Sequence, residues 1–291
     1  MLDKKPAKER IEKLKKLVNY HRYLYHVLDK QEISDAALDS LKKELADLEK
    51  QYPEFLTQDS PTQRVGGKPL PKFKKINHQV KQWSYDDVFS EAEIREFDER
   101  VKRFLVKEAG AKNPQAEYTC ELKIDGFKIV LTYEKGLLKS AATRGDGIVG
   151  EEVTQNVKTI ESVPLRLEEE TDVVVEGEIW MSKKEFERLN KEQEKAGGQV
   201  FANPRNIAAG SIRQLDPKIA ASRKLNSFIY ELDNSSHKLP ETQYEELKQL
   251  QKLGFKVNEH FKLCKNIEEV IKFYREWGSK KNNLPYYIDG I

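Results

Sequence analysis

Lys123 stands two residues ahead of Asp125 and three ahead of Gly126 in CELKIDG (120–126), near the end of a strand-like run. A lysine in that place serves either solubility at a sheet edge or nucleophilic attack. Attack on an electrophile needs the neutral amine, which a site favours by burial or by nearby positive charge. Leu122 and Ile124 flank Lys123 but point to the opposite strand face, whereas Glu121 and Asp125 share its face. Gly126 leaves room for a ligand to approach the backbone.

Three further stretches carry residue types that suit a nucleotide. AATRGDG (141–147) ends a strand with Arg144 followed by two glycines around an acid, which fits a phosphate or ribose fork and equally a surface turn. VVVEGEIW (173–180) puts Glu176 and Glu178 on one strand face, as a metal or ribose site does and as any half-exposed strand does. FANPRNIAAGSIRQLDP (201–217) opens a turn or helix at Asn203-Pro204 and sets Arg205 and Arg213 among small residues that allow close packing.

These residues need elements to position them. In residues 6–30, Ile11, Leu14, Val18, His21, Tyr25 and Leu28 follow the three-and-four spacing of one helix face. Ser34 as N-cap opens a second helix with a stripe of Leu38, Leu41, Leu45, Leu48 and Tyr52, stopped by Pro53. Residues 57–75 are rich in Pro, Gly and polar side chains and read as a linker, with a domain boundary between 68 and 69. From residue 117 onward β-branched runs take over. Strands are predicted over 127–132, 137–143, 172–180 and 225–232, the first two joined by a turn at Tyr133–Gly136. Capping boxes at Ser182–Glu185 and Thr242–Glu245 open helices, and Gly197 and Gly254 suit their ends. The fold class is α+β, a small helical domain followed by antiparallel sheets with flanking helices.

The bulk properties narrow the setting. At 291 residues, 51 Lys plus Arg balance 49 Asp plus Glu, so any attraction to phosphates comes from local patches rather than from the overall field. Two cysteines without metal or disulfide spacing, no apolar run of membrane length and no signal-like N-terminus point to a cytoplasmic protein.

In order and spacing, CELKIDG, AATRGDG, EGEIW, FANPRNIAAGSIRQLDP and YYIDGI, with DSPTQRVGG (59–67), resemble the adenylation segment of bacterial NAD+-dependent DNA ligases. The resemblance implies a helical NAD+/NMN-recognition domain over 1–68 and a nucleotidyltransferase domain, ATP-grasp-like, over 69–291. It implies that Lys123 attacks the α-phosphate of NAD+ to form lysyl-AMP and release nicotinamide mononucleotide. Glu121 corresponds to an adenine contact and Asp125 to the motif acid near the sugar. Arg144 and Glu178 correspond to nucleotide contacts, Glu178 also lying near Mg2+ or Mn2+ through water. Ser84, Tyr85 and Asp289 are further nucleotide-side candidates, while Arg205 and Arg213 are candidates for DNA or phosphate contact. Tyr25, His26, Asp35 and Asp39 correspond to the residues that grip the nicotinamide mononucleotide half.

The chain departs from the family pattern at Leu38, Tyr85, Asp87, Lys128 and Glu176, where tyrosine, leucine, asparagine, a small residue and arginine are usual, so altered NAD+ affinity is expected. Nicked double-stranded DNA is the implied partner of the longer enzyme, and a monomer is expected. No zinc site is expected, since the family's four-cysteine module would follow the OB-fold, before which this chain stops. A lysyl-nucleotidyltransferase that uses ATP, or a weakened relative that only binds nucleotide, would share much of the same pattern.

Overall fold

The N-terminal apolar stripe closes on itself as a helical hairpin. In the computed structural model, which describes residues 4–65, 70–110, 112 and 114–291, α1 (Lys4–His26) and α2 (Asp35–Gln51) bury Ala7, Ile11 and Leu14 against Leu45, Leu48 and Tyr52. Ser34 caps α2 by accepting from the Ala37 amide at 3.2 Å, and the chain leaves the helix at Tyr52 ahead of Pro53. The stripe is shorter than its spacing predicts. Tyr25 in the last turn of α1 and Leu28 beyond its end are exposed instead of joining the core.

Residues 57–65 pack more closely than a linker does. Ser60 is buried and donates to Glu49 at 2.6 Å, Thr62 also bonds Glu49, and the buried Arg64 donates to the Lys158 and Ile160 carbonyls at 3.2 and 2.9 Å. Polar composition misleads here because Ser60, Thr62 and Arg64 find partners on Glu49 and on the carbonyls of residues 158 and 160. The proposed boundary between 68 and 69 lies outside the described residues.

The larger part is built on a four-stranded antiparallel sheet. Its strands are β4 (Phe127–Glu134), β5 (Leu137–Thr143), β7 (Val173–Trp180) and β8 (Asn226–Ser235), in the order β5-β4-β7-β8. Lys135 and Gly136 join β4 to β5 with φ of 49° and 73°, the two positive values a two-residue hairpin turn requires. One sheet face carries Ile129, Leu131, Tyr133, Val175, Ile179 and Ile229 into the main core. That core is roofed by α5 (Lys183–Lys195), α6 (Pro204–Ile212) and α8 (Gln243–Lys252), with the short α4 (Thr154–Val157) and α7 (Pro217–Ser222) packed beside α6; Ser182 and Thr242 cap as predicted, and at Asn203 the turn-or-helix start is a capped helix. Alternation along the strands then forces Lys128, Glu176 and Glu178 to the other face.

Three two-stranded ladders complete the frame: β1 (Lys75–Asn77) with β6 (Val149–Glu151), β2 (Tyr118–Cys120) with β9 (Lys262–Cys264), and β3 (Lys123–Ile124) with β10 (Ile288–Gly290). A second core behind the last two gathers Leu122, Ile124, Trp180, Phe228 and Tyr286. It is flanked by α3 (Glu91–Ala109) and α9 (Ile267–Lys280), two helices the sequence reading passed over although Ser90 and Asn266 cap them. Cys120 and Cys264, remote in sequence, lie on neighbouring strands as free buried thiols. No helix among the described residues is long and apolar enough to cross a membrane.

Candidate nucleotide site

Lys123 is positioned by a short ladder pinned from behind. Leu122 and Ile124 are buried in the second core, so alternation sends the Lys123 side chain out to the front. There its Nζ donates to Asp289 Oδ2 at 2.6 Å, because β10 pairs with β3 and returns the C-terminal acid to the lysine. Burial is not what holds the amine, since the Lys123 side chain is 51% exposed and that of Asp289 37%. The strand is also more broken than predicted: β2 stops at Cys120, and Glu121 turns away to accept from Gln243 Nε2 at 2.9 Å.

Glu178, on β7, lies near enough to Lys123 for the lysine's charge to act on its carboxyl. Burial raises the Glu178 carboxyl to about 7 against the opposing pull of Arg205, Lys123 and Lys128. Burial also raises Asp125, with Asp289 adding to it and Arg205 and Lys123 opposing. Lys123, Asp125, Glu178, Arg205 and Asp289 therefore share one electrostatic neighbourhood assembled from β3, β7, α6 and β10. Gly126 lets that assembly pack closely, because a Cβ there would stand 2.5 Å from the Ile179 carbonyl oxygen and 2.7 Å from Glu178 Cγ.

A second group of acids lies deeper along β8. Burial raises Glu121 to about 7, with the Gln243 amide opposing and Glu231 reinforcing. Glu246 is likewise pushed to about 7 by burial, and its carboxylate accepts from the Leu232 amide. Tyr85 reaches this group through a 3.2 Å bond to Glu231, and Ser84 beside it is exposed. Sequence reasoning missed Glu231, Asp233, Gln243 and Glu246. Their signal was the polar side chains of β8, read only as a strand, and the capping box of α8, read as helix initiation.

Arg144 lies at the end of β5, where its carbonyl accepts from His78 Nε2 at 3.1 Å and its own Nε is buried without a hydrogen-bond partner among the described residues. Arg213 stands apart, exposed at the end of α6 and paired with Glu151 at 2.8 Å. In the helical hairpin, Tyr25 packs edge-on against His26 with ring centroids 4.7 Å apart, and Tyr25, Asp35 and Leu38 line a small cleft with His21. Asp39 is exposed and pairs with Lys42. The hairpin and the segment after it join the larger part through Arg22 with Glu161, Asp29 with Lys256, Asp59 with Arg166, and Arg64 with the Lys158 and Ile160 carbonyls. The structure thus assembles the lysine centre and the hairpin cleft separately. A cleft of about 620 Å³ between α3 and α9 holds none of the predicted site residues.

A profile for an NAD-dependent DNA ligase adenylation domain matches residues 70–291. This chain belongs to that family. Ahead of the adenylation domain, residues 4–66 match a DNA ligase-like, N-terminal NAD+-binding domain. The chain is similar to the DNA ligase of Thermotoga petrophila, 50% identical over 283 residues that make up 97% of this chain and 40% of that one. The DNA ligase of Thermosipho africanus is 49% identical over 290 residues, covering 100% of this chain and 43% of the relative. That of Bacillus cereus is 48% identical over 290 residues, 100% of this chain and 42% of the relative. The adenylation chain thus spans about two fifths of the length of these curated relatives.

Two departures from the family pattern meet in space. Lys128 and Glu176 form one ion pair on the front of the sheet, with side-chain exposures of 17% and 5%. The two departures, each read in sequence as a change of charge, pair with each other.

Proposed function

We propose that Lys123 attacks the α-phosphorus of NAD+ and carries AMP as a phosphoramidate. In that step the Nζ–P bond forms, the P–O bond to nicotinamide mononucleotide breaks, and the amine proton passes to the Asp289 carboxylate within hydrogen-bond reach. The observation that carries the reading is the convergence of Lys123, Asp125, Glu178, Arg205 and Asp289 from four separate elements on one spot. Arg205 and Arg144 are the cations for the phosphoryl oxygens, and the unpartnered Arg144 Nε is a donor awaiting an acceptor. Glu121 and Gln243 form the polar end of the pocket for the base, with Ser84 and Tyr85 on its outer wall.

Among the described residues no three His, Cys, Asp or Glu side chains cluster as a metal cage. A single carboxylate suits Mg2+ or Mn2+, since such an ion keeps most of its water and takes the rest of its ligands from phosphate. Glu178 would hold it, and the ion would neutralise charge developing on the transferring phosphoryl group.

We assign residues 1–68 and 69–291 to the two domains, acting as a monomer. Tyr25, His26, Asp35 and Asp39 grip the nicotinamide mononucleotide half when the hairpin closes on Lys123. In the longer enzyme the AMP passes to the 5′-phosphate at a DNA nick, with Arg205 and Arg213 on the phosphate path. Intact mass after incubation with Mg2+ and either NAD+ or ATP tests the reading. One AMP added from NAD+ to the wild type, and none to Lys123→Ala, is expected; labelling by ATP alone would reject NAD+ as the donor.

A further inference from the structure

Residues 78–89 have no regular secondary structure, yet within them Tyr85 donates to Glu231 on β8 at 3.2 Å. Exposed side chains dominate the segment: Trp83, Tyr85 and Phe89 are 63%, 76% and 88% exposed, so apolar burial does not hold it. What holds it is a line of polar contacts rooted in the sheet. Lys128 Nζ pairs with the buried Glu176 carboxylate and also reaches the Trp83 carbonyl at 3.4 Å. Asp233 on β8 lies beside Glu176, and burial pushes its carboxyl up to about 7, with the Glu176 charge adding to the rise and the Gln82 amide opposing it. Asp233 in turn accepts from Gln82 Nε2 at 2.9 Å.

Gln82 is the junction. It is buried, its side chain also donates to the Val80 carbonyl at 3.2 Å, and its main-chain amide donates to Gly147 at 2.9 Å in the loop that follows Arg144. The line from Lys128 through Glu176, Asp233 and Gln82 therefore joins the segment bearing Ser84 and Tyr85 to the loop bearing Arg144. It runs on the same sheet face as Glu178, whose β4 partner is Lys128 itself.

We infer that Lys128 and Glu176 are a positioning pair that fixes the 82–85 segment against the sheet and so sets the affinity for the adenylate donor without entering the chemistry. This rests on the reading that Ser84 and Tyr85 line the nucleotide pocket. A buried pair behaves differently when halved than when removed whole: one missing partner leaves an uncompensated charge, whereas two apolar replacements leave none. The single variants Lys128→Met and Glu176→Gln are thus expected to disturb the segment more than the double variant Lys128→Met/Glu176→Met.

The test measures the rate of AMP adduct formation on the 291-residue chain as a function of NAD+ concentration. Either single variant is expected to raise the half-saturating concentration about tenfold with the rate at saturation within about twofold of wild type. The double variant should recover much of the loss, and Lys128→Arg should recover most of it. A pair that only stabilises the fold would lower the fraction of chains able to react and leave the half-saturating concentration unmoved, which overturns the inference. So does a fall in the saturated rate at unchanged half-saturation. If wild type itself takes no AMP from saturating NAD+, the functional reading fails and this inference with it; a labelled wild type beside unaffected variants refutes only the inference.

Discussion

Replacing Glu121 by glutamine tests whether the pocket holds a strained carboxyl. The side chain is partly buried beside Glu231, and its carboxyl is raised, first by that burial, to about 7 against an ordinary 4.5. A folded value above the unfolded one means that the native state binds the proton more tightly, so ionising Glu121 destabilises the fold as pH rises from the ordinary value through the folded one. At about 1.4 kcal/mol per pH unit, that interval amounts to roughly 3 kcal/mol when fully developed, to be taken as an order of magnitude. Glutamine removes the charge and keeps the acceptor for the Gln243 amide, whose bond is 2.9 Å. It also relieves Glu246, which the Glu121 charge helps to raise. Glu121→Gln should therefore match wild type near pH 4.5 and exceed it by about 2–3 kcal/mol at pH 8. Urea unfolding followed by circular dichroism across that range is the assay. A stability difference that stays constant with pH, or a variant weaker than wild type at pH 8, would refute the assignment of burial as the cause.

Two further outcomes can be checked alongside the adduct assays above. Gly126→Ala must displace either the Ile179 carbonyl oxygen, 2.5 Å from the new Cβ, or Glu178. Misplacing a reacting group by about 1 Å costs on the order of 100-fold, so single-turnover adduct formation should fall by about that factor; a rate near wild type would show that Glu178 does not need its present position. His26 is held down to about 3, first by burial and then by Arg22, Arg64, Lys42 and Lys256. Its depressed value keeps it neutral when folded, so stability is lost as pH falls below the unfolded value near 6.5. Between pH 7 and pH 5 wild type should lose about 2 kcal/mol that His26→Asn retains, and parallel urea curves for the two proteins would contradict the assigned burial.

The local code of the chain was legible in its residues. Ser34, Ser182 and Thr242 cap helices as their spacing predicts, and β5 runs over Leu137–Thr143 as read. These features depend on residues a few positions apart, where side-chain type and period suffice. The motifs around Lys123, Arg144 and Glu178 were also legible as words, though what each word meant stayed open between chemistry and solubility. Polar composition failed at residues 57–65, where Glu49 and the carbonyls of residues 158 and 160 supply partners from outside the segment.

Only the tertiary structure decided which distant residues share a charge neighbourhood. Asp289 reaches Lys123 because β10 returns to β3 across 166 positions, and Lys128 meets Glu176 because β4 lies beside β7. No spacing rule carries that information, since sheet pairing is non-local. The same pairing turned two apparent faults in the family pattern into one neutral pair: charge compensation depends on distance in space, which a linear reading of Lys128 and Glu176 could not supply.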